Sequence, residues 1–280
     1  MPIQRKKIYF KGAKAPFFVY TVYMMMCPIC KEKLVKEGRS WRCAKNHCFD
    51  IAKQGYVNFS RKQKSAGDNK EMVQARTAFL ENDYYDFMRK KVAQIVEERQ
   101  ADVLLDIGCG QGYYTSVLPA KEKYGMDLSK EAVSYAARHD RNTQYIVGSI
   151  YEIPLQDESV DVVTSIFTPI PQKEVLRVLK KNGIFIVVGP GPKHCWELKQ
   201  QLYSNVYENP KAETQMDGYV LLDQFEMKQT ENVEDVWALF EMTPYRFKSP
   251  KEGMEKVERL DHLEVTFDFV ISIWGKYGKK

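Results

Sequence analysis

Val103-Leu-Leu-Asp-Ile-Gly-Cys-Gly-Gln-Gly112 is the stretch of sequence that decides the fold. An apolar run ends in an acid and gives way to glycines at alternate positions. A short buried strand over residues 103–107 that leads through a glycine-rich turn to a helix is typical of nucleotide-binding sites, because glycine lets the backbone approach a ligand without a Cβ in the way. Asp127 closes a second apolar run one βα unit later. A carboxylate at that strand end can accept hydrogen bonds from both ribose hydroxyls of a nucleoside.

The spacing of the glycines distinguishes between nucleotides. Dinucleotide sites carry Gly-x-Gly-x-x-Gly, with the turn and the helix N-terminus around a pyrophosphate. Here Gly108, Gly110 and Gly112 follow Gly-x-Gly-x-Gly, with Asp106 ahead of them. That pattern resembles motif I of the class I S-adenosylmethionine (SAM) methyltransferases, whose cofactor has no phosphate. A plain tight turn is the alternative, but the strand, the glycines, the helix and the second acid occur in the required order, which favours cofactor binding.

Apolar runs of strand length recur along the chain and alternate with helical stretches such as 131–138. This alternation predicts a parallel sheet with helices on both faces, preceded by two helices between residues 69 and 98. A helix over 233–240 separates the last two runs, and the final strand is expected to insert antiparallel. The predicted strands cover residues 103–107, 124–126, 144–147, 160–166, 184–188, 225–229 and 263–273. The predicted fold class is therefore α/β, with the Rossmann-like seven-stranded sheet of class I SAM-dependent methyltransferases.

Length and composition describe an ordinary globular protein. The 280 residues are 44% hydrophobic and 28% charged, so the chain can bury a full core and is not a disordered one. The net charge of +5 hides an asymmetry, because residues 1–70 contain 16 Lys and Arg against 4 Asp and Glu, whereas the remainder contains 26 against 33. Such polarity indicates a basic front module that meets a polyanion, and a basic surface without a partner is the alternative. No apolar run reaches the length of a membrane span, so we expect no membrane partner and a cytoplasmic location.

A second motif in the front module has the spacing of a metal site. Cys27-Pro-Ile-Cys30 and Cys43-Ala-Lys-Asn-His47 give Cys-x2-Cys-x12-Cys-x3-His. Two ligands on each of two tight turns suit tetrahedral zinc, which thiolate and imidazole bind well, so we expect one closed structural zinc ion at Cys27, Cys30, Cys43 and His47. A disulfide is disfavoured in a reducing cytosol, and a redox Cys-x-x-Cys would follow a strand at a helix start. Cys48 is the alternative to His47 as fourth ligand.

Basic and aromatic residues interleave around the zinc motif. Cations can neutralise phosphates and aromatic faces can stack on unpaired bases, so the pattern favours single-stranded loops of RNA as a partner. Trp41 and Phe49 are expected to form a small core over the metal rather than to stack on bases. Residues 61–68, which are polar and include a glycine, are typical of a mobile linker. The interleaved residues are Arg39, Trp41, Arg42, Lys45, Phe49, Lys53, Tyr56, Phe59, Arg61, Lys62 and Lys64.

The segment before the zinc motif is predicted to be an extension. Its basic residues at 5–7 and its apolar run over 16–26 superficially resemble a secretory leader, but Tyr and Thr interrupt the run and no small-residue cleavage site follows. Three consecutive methionines, at 24–26, suggest that natural synthesis starts there. We therefore divide the chain into an extension or disordered leader (1–26), a zinc-binding RNA-recognition module (27–67) and a SAM-dependent methyltransferase domain (68–280).

From residue 27 onwards, several motifs together resemble those of the RlmA family of 23S rRNA guanine-N1 methyltransferases, whose Gram-positive members include a tylosin-resistance enzyme. The motifs are the two zinc-ligand pairs, FDIAKQGYVN (49–58), MVQAR (72–76), LDIGCGQGYY (105–114) and GPGPKH (189–194). The resemblance implies transfer of a methyl group from SAM to N1 of a guanine in 23S rRNA, and a hairpin loop is favoured because a paired base edge is inaccessible. Another RNA or a small metabolite is the alternative substrate, and a homodimer is left open.

The resemblance also implies which residues contact the ligands. Tyr85, Gln111, Gly112 and His194 would contact SAM, Asp106 would orient its amino-acid part, and Ser149 and Ile150 would lie beside the adenine. From the sequence alone, Tyr85 could equally be a core residue of a helix over 84–98, whereas His194 follows the strand at 184–188, at the sheet edge that hosts ligands. The expected cofactor-binding residues are Tyr85, Asp106, Gly108, Gly110, Gln111, Gly112, Asp127, Ser149, Ile150 and His194.

The segment Phe167-Thr-Pro-Ile-Pro171 follows the fourth predicted strand, where related methyltransferases hold an aromatic and proline motif against the target base. Phe167, Thr168 and Pro169 are therefore expected to form the substrate lip, with a structural turn as the alternative. Because the sulfonium of SAM is already activated, alignment of guanine N1 with the methyl group is the main task, and proximity can supply roughly 7 to 11 kcal/mol. We assign no general base, since Asp161 lies at a strand start and solvent can take the N1 proton.

Overall fold

The computed structural model describes residues 24–60 and 70–277 and the backbone of a short antiparallel pair, β1 (Gln4–Ile8) and β2 (Phe17–Thr21). Half of the predicted extension and all of the predicted linker at 61–68 lie outside the described residues. The other strands are β3 (Leu34–Glu37), β4 (Ser40–Cys43), β5 (Cys48–Asp50), β6 (Val57–Asn58), β7 (Val103–Ile107), β8 (Glu122–Asp127), β9 (Thr143–Val147), β10 (Val160–Ile166), β11 (Leu179–Pro190), β12 (Tyr219–Val233) and β13 (Leu263–Lys276). The helices are α1 (Lys70–Leu80), α2 (Asp86–Glu98), α3 (Lys130–His139), α4 (Gln172–Val178), α5 (Trp196–Leu202), α6 (Val236–Met242) and α7 (Lys251–Glu258). Within this described part of the chain, none of the helices is long and apolar enough to cross a membrane.

Eight strands form one sheet in the order β12-β13-β11-β10-β7-β8-β9-β6. The neighbours from β11 to β6 run parallel, whereas β13 lies antiparallel between β11 and β12. The predicted α/β class and the antiparallel insertion of the last strand are therefore confirmed. The eighth strand, β6, is not foreseen from the sequence, because two residues carry no periodicity. Strands β3, β4 and β5 form a separate antiparallel sheet in the zinc module.

Some element boundaries differ from the sequence pattern. Strand β12 covers 15 residues instead of the predicted 225–229. It is the outermost strand and has solvent on one side, so polar residues alternate along it and mask its length. The helix predicted over 233–240 begins later, at Val236, because the carboxylate of Asp235 caps it by accepting a hydrogen bond from the Ala238 amide at 2.8 Å.

The helix expected directly after the glycine-rich turn is wrong. Only one 3₁₀ turn, Thr115–Val117, occurs there. A longer helix would need the amide of residue 119 to donate to the Thr115 carbonyl, but residue 119 is proline. Lys123 supplies the missing donor, because its Nζ donates to the carbonyls of Thr115 and Ser116 at 3.0 Å each. The buried Lys123 side chain thus satisfies carbonyls of the 115–117 turn that the next turn of a helix would otherwise satisfy.

The two faces of the sheet are covered by different kinds of structure. Consecutive residues of β7 alternate between them: Leu104 belongs to a cluster with helices α2, α5 and α6, whereas Leu105 belongs to a cluster with α4 and the zinc module. Cys27 and Trp41 lie in this second cluster. Trp41, expected to pack rather than to stack on bases, is only 2% exposed. The zinc module thus covers part of one face of the sheet.

The chain just before the first cysteine joins this module to the sheet domain. The Met26 amide donates to the Pro154 carbonyl at 2.8 Å, the Gln156 amide donates to the Met24 carbonyl at 3.0 Å, and Met25 is fully buried. These three methionines were assigned to the extension, yet they belong to the same packed unit as the zinc module. The division of the chain at residues 27 and 68 otherwise stays a prediction.

Arg177 of α4 holds the segment that pairs with these methionines. Its guanidinium donates to the carbonyl of Ile153 at 2.7 Å and to that of Leu155 at 2.8 Å. It also pairs with Glu174, whose carboxylate accepts from the Ile153 amide at 2.7 Å. One side chain therefore satisfies backbone groups on the strip that docks the zinc module.

Replacing Arg177 with Met should lower the free energy of unfolding by about 1–3 kcal/mol, because the carbonyls of Ile153 and Leu155 lose their partner. Urea denaturation of the zinc-loaded protein measures the change. Arg138→Met is the matched control, since Arg138 is exposed and its Nε donates only within its own helix, to the Ser134 carbonyl. Equal effects of the two substitutions would contradict the assigned role of Arg177.

Candidate functional site

The four predicted zinc ligands lie together at one end of the zinc module. One donor atom from each falls within 4.8 Å of the others. His47 Nδ1 lies 3.5 Å from Cys27 Sγ and 3.4 Å from Cys43 Sγ, and Cys30 Sγ lies 3.6 Å from Cys43 Sγ. Such separations suit a tetrahedron with zinc bonds of about 2.0–2.3 Å. Cys48 is exposed, with its Sγ 4.0 Å from Asp50 Oδ1, and is not part of this cluster.

A backbone hydrogen bond closes each of the two turns that carry these ligands. The Lys31 amide donates to the Cys27 carbonyl and the Asn46 amide to the Cys43 carbonyl, both at 2.9 Å. Lys31 and Asn46 adopt φ values of 60° and 63°, in the left-handed region. Lys31 directly follows the second ligand of the first pair, and Asn46 directly precedes the second ligand of the second pair. The turns bring the members of each pair close, and the antiparallel pairing of β3 with β4, in which Leu34 lies opposite Cys43, brings the two pairs together.

The glycine-rich loop is held against the end of β8. The amides of Gly108 and Cys109 donate to the Met126 carbonyl at 2.7 and 3.1 Å, and the Gly110 amide donates to Asp127 Oδ2 at 3.0 Å. Gly108 has φ of +68°, and a Cβ there would lie 2.0 Å from Thr168 Oγ1. Only glycine fits this position, because both the backbone angle and the contact exclude a side chain.

Asp106 and Asp127 have different environments. Asp106 is buried and accepts hydrogen bonds from Thr115 Oγ1 at 2.5 Å and Thr164 Oγ1 at 2.7 Å. Burial raises the pKa of its carboxyl to about 6, against the two hydroxyl hydrogen bonds. Asp127 lies at the end of β8, where one oxygen accepts from the Gly110 amide and the other from the Ser129 amide at 2.7 Å. Asp106 therefore stabilises the loop through its buried hydrogen bond with Thr115, whereas Asp127 lies at the sheet edge where ligands bind.

Two further pairs of predicted residues follow parallel strands of the same sheet. Ser149 and Ile150 come after β9 and Gly148, and the lip residues Phe167 and Thr168 come directly after β10. The carboxyl ends of parallel strands meet at one edge of a sheet, and that edge hosts ligands in open α/β sheets. The structure thus brings the glycine loop, Asp127, these pairs and the turn after β11 to a single edge.

Tyr85 and His194 meet in an aromatic group beside this edge. Tyr85 OH lies 3.4 Å from His194 Nε2, and the Phe167 ring lies 6.0 Å from the His194 ring. Both Tyr85 and His194 are buried. Burial, with a smaller contribution from Lys199, lowers the pKa of His194 to about 4, so the imidazole is neutral at pH 7. Tyr85 precedes α2, packs in the core and lies beside His194, and its contact with SAM stays a prediction.

Asp268 is a residue that the sequence pattern misplaces. It alternates with Thr266 and Glu264 in β13, which favours an outward position, yet it is fully buried. Its carboxylate accepts from the Lys193 amide at 2.9 Å, and its carbonyl accepts from the Gly191 amide at 2.7 Å. A Cβ on Gly191 would lie 2.2 Å from the Asp268 carboxylate, which explains the glycine in this turn. Asp268 therefore holds the turn that carries His194.

A cavity of about 220 Å³ lies behind the glycine loop, between α1 and α3. It includes Gln111 and Gly112 but none of the other predicted cofactor or lip residues. Thr77, Leu80, Tyr135 and Tyr145 are among its other lining residues. Most of the predicted cofactor residues therefore lie along the open sheet edge rather than in this cavity.

The residues at the edge and in the zinc module fit SAM and zinc. Gly110 has no atom within 4 Å of the position of a Cβ, so the loop is open on that side, and the buried Nε2 of Gln111 has no partner within the described residues. An open loop beside an unpaired hydrogen-bond donor suits the polar amino-acid part of SAM. Three thiolates and one imidazole are a typical donor set for structural zinc.

Comparison with known proteins assigns both parts of the chain. A zinc-ribbon family model described as "RlmA, N-terminal" matches residues 25–63, and one described as "Methyltransferase domain" matches residues 105–187. A 23S rRNA (guanine(748)-N(1))-methyltransferase of Streptomyces fradiae is 32% identical over 191 residues, which cover 65% of this chain and 68% of the relative. The chain belongs to the RlmA family of 23S rRNA (guanine-N1)-methyltransferases.

Two further relatives carry provisional names of the same kind. One, from Bacillus subtilis, is 27% identical over 274 residues, covering 90% of this chain and 97% of its own length. The other, from Micromonospora griseorubida, is 31% identical over 204 residues, covering 64% of this chain and 69% of its own. The resemblance inferred from the motifs is confirmed, and so are SAM and zinc as the cofactors of this RlmA-family chain.

Cys48→Ser should leave one equivalent of zinc bound, whereas Cys43→Ser should abolish stoichiometric binding, because only Cys43 belongs to the four-atom cluster. Zinc is measured with a colorimetric chelator after the purified protein is denatured. The two variants make the same chemical change at positions five residues apart in the sequence, so they control for each other. Loss of zinc from Cys48→Ser with retention in Cys43→Ser would reverse the ligand assignment.

His194→Gln should remove a pH-dependent part of the stability. Folded His194 resists protonation down to about pH 4, whereas an unfolded histidine takes up its proton near pH 6.5. The wild type should therefore lose up to about 3 kcal/mol of unfolding free energy as pH falls through this window, and glutamine does not titrate. Urea denaturation of both proteins at each pH gives the difference and removes contributions common to both. Parallel pH profiles would contradict a buried neutral His194.

Proposed function

We propose that this chain transfers the methyl group of SAM to N1 of a guanine in a hairpin loop of 23S rRNA. Membership of the RlmA family supports the reaction and the RNA. The single observation that carries the proposal is the combination, in one packed unit, of a zinc cluster with a glycine loop bound to an acid at the end of the next strand. A methyltransferase for a small metabolite has no need of the basic zinc module, so this alternative is less favoured.

The cofactor contacts in this proposal follow the sheet edge. Asp127 binds the ribose hydroxyls, Ser149 and Ile150 lie beside the adenine, and Asp106 orients the amino-acid part through the loop and Thr115. Gln111 donates from its unpartnered Nε2 to the amino-acid part. The full set is Tyr85, Asp106, Gly108, Gly110, Gln111, Gly112, Asp127, Ser149, Ile150 and His194.

When bound, SAM supplies a methyl group on an already electrophilic sulfonium, so the residues of the chain have to align and shield rather than activate. The neutral imidazole of His194 places no positive charge beside this cationic cofactor. The described groups at the edge do not single out a base for the guanine N1 proton, and we propose that the proton passes to solvent.

The substrate lip in this proposal is Phe167, Thr168 and Pro169. Phe167 is 42% exposed and has φ of 55°, which is unusual for a residue with a Cβ. Its amide donates to the Val188 carbonyl at 2.9 Å, and its ring packs 5.6 Å from Phe269 and 6.1 Å from Tyr85. An aromatic ring that packs against other rings on one side and is exposed on the other can stack on an extruded base.

The zinc module supplies the RNA contacts in this proposal. Arg39, Arg42, Lys45 and Lys53 are exposed, and the ion pairs of Arg42 and Lys45 with nearby glutamates are loose, at 3.6 and 3.9 Å. Phosphates can therefore displace those glutamates at small cost. We retain the division into residues 1–26, 27–67 and 68–280 as part of the proposal, together with a cytoplasmic location. Sedimentation will decide whether a homodimer forms.

Zinc-loaded protein with methyl-labelled SAM should label a 23S rRNA hairpin transcript, and the label should stop primer extension at a loop guanine because N1-methylation blocks base pairing. A hairpin whose loop guanines are adenines, and free guanosine, should remain unlabelled. Asp127→Asn should weaken SAM affinity at least about tenfold through loss of charge-assisted hydrogen bonds. Asp217→Asn, at an exposed carboxylate in the turn before β12, is the control.

Two outcomes would overturn the proposal. Efficient labelling of guanosine would indicate a metabolite enzyme, and labelling of the adenine-loop hairpin would place the methyl group elsewhere. Labelling of a different RNA with none on the 23S hairpin would replace the substrate but not the reaction.

A further inference from the structure

Strand β6 joins the zinc module to the cofactor edge of the sheet. Val57 and Asn58 pair in parallel with Ile146 and Val147 of β9. The Phe59 amide continues the ladder by donating to the Val147 carbonyl at 2.8 Å. Because β6 runs parallel to β9, its carboxyl end lies at the same edge as Asp127 and Ser149. The zinc module thus extends the sheet by one strand beside the proposed adenine position.

The ends of three strands lie side by side at that point. The Gly148 amide donates to the Asp127 carbonyl at 2.9 Å, which joins the ends of β8 and β9. A Cβ on Gly148 would lie 2.8 Å from Met126 Cε and 3.9 Å from Phe59 Cβ. Phe59 therefore flanks the residue that immediately precedes Ser149 and Ile150. The backbone that leads into Ser149 and Ile150 therefore lies between the end of β8 on one side and Phe59 of the zinc module on the other.

The side chain of Phe59 faces the zinc module. Its ring packs edge-on against Phe49 at 4.9 Å, with the planes at 82°. Phe49 lies in β5, which pairs with β4, the strand that ends at the zinc ligand Cys43. Phe59 is buried in the cluster that contains Cys27, Cys43 and Ile150. One apolar cluster thus includes two metal ligands and a residue proposed to flank the adenine.

The backbone ladder alone is too short to hold this arrangement. Only the two residues of β6 and the Phe59 amide pair with β9, which is short for a strand. The position of β6 therefore depends also on side-chain packing, to which the buried Val57 and the contact of Phe59 with Phe49 contribute, and Phe49 lies in a small sheet that zinc keeps folded. Loss of zinc should loosen β6 and, through it, the loop after β9.

We propose that Phe59 is a positioning residue that couples the zinc-loaded module to the adenine end of the SAM site. The inference rests on the proposed function, since it uses the assignment of Ser149 and Ile150 to the adenine. Phe59 itself does not touch the cofactor. It keeps the outer side of β9 in place, so that the zinc module contributes to SAM affinity as well as to RNA binding.

Phe59→Leu should weaken binding of S-adenosylhomocysteine by roughly five- to fiftyfold, the usual range of coupling between sites. Methylthioadenosine, which keeps the adenine but lacks the amino-acid part, should lose affinity by the same factor. Calorimetry on the zinc-loaded protein measures both. Phe240→Leu is the matched control, because Phe240 is also buried but lies in the cluster on the other face of the sheet, and it should change neither affinity by more than about twofold.

Removal of zinc distinguishes coupling from general damage. Chelation of zinc from the wild type should reproduce the loss caused by Phe59→Leu, and chelation from Phe59→Leu should cause little further loss, since both act through one contact. A thermal melt of each protein verifies that it is folded at the temperature of the titration. Phe59→Met is a second variant if Phe59→Leu does not fold.

The outcomes separate this inference from the proposed function. If neither ligand binds to the zinc-loaded wild type, both the proposed function and this inference are wrong. Wild-type binding that Phe59→Leu leaves unchanged would sink the inference alone, and so would a loss for S-adenosylhomocysteine without one for methylthioadenosine. Additive losses on zinc removal from Phe59→Leu would also overturn it, because independent effects add.

Discussion

Docking of the zinc module against one face of the sheet is the contact on which the rest of the structure depends. Cys27 and Trp41 on one side meet Leu105 and Ile107 of β7 on the other, in a single apolar cluster. Fewer than forty residues separate Met24 from Ser60, and a unit of that size cannot bury enough apolar surface to be stable alone without a metal. Strand β7, whose Leu105 and Ile107 belong to this cluster, leads directly into the glycine loop. The zinc module therefore packs against the same sheet whose edge carries the proposed cofactor residues.

The glycine loop shows how a fold can replace a missing helix. Pro119 ends the 3₁₀ turn, and the carbonyls that a helix would have satisfied accept from Lys123 instead. The hydroxyl of Thr115 donates to Asp106 in the same small region. Burial lowers the pKa of Lys123 and raises that of Asp106, so the loop is held by two groups that are each costly to charge. The hydrogen bonds of Asp106 and Lys123 offset that cost.

Features set by local pattern were predictable, and features set by tertiary contacts were not. The apolar run of β7, the carboxyl-terminal place of Asp127 and the spacing of Cys27 to His47 are all written in short stretches of sequence, and the structure brings them together as expected. Strand β6 has only two residues and exists because β9 offers an open edge. Asp268 alternates with polar residues along β13, as an exposed residue would. Its carboxylate is nevertheless buried, because it accepts a hydrogen bond from the turn that follows β11, the strand paired with β13. The neutral state of His194 likewise comes from burial among side chains distant in sequence.

Strand β12, the 15-residue outer strand of the main sheet, has a consequence for how copies of the protein meet. A long strand with one open flank is a template for pairing with another chain, and such pairing leads to aggregation. Exposed charges at Asp223, Glu226 and Lys228 recur along this strand, and pairing with another copy would desolvate them. These charges therefore oppose the joining of this flank to a neighbour's sheet.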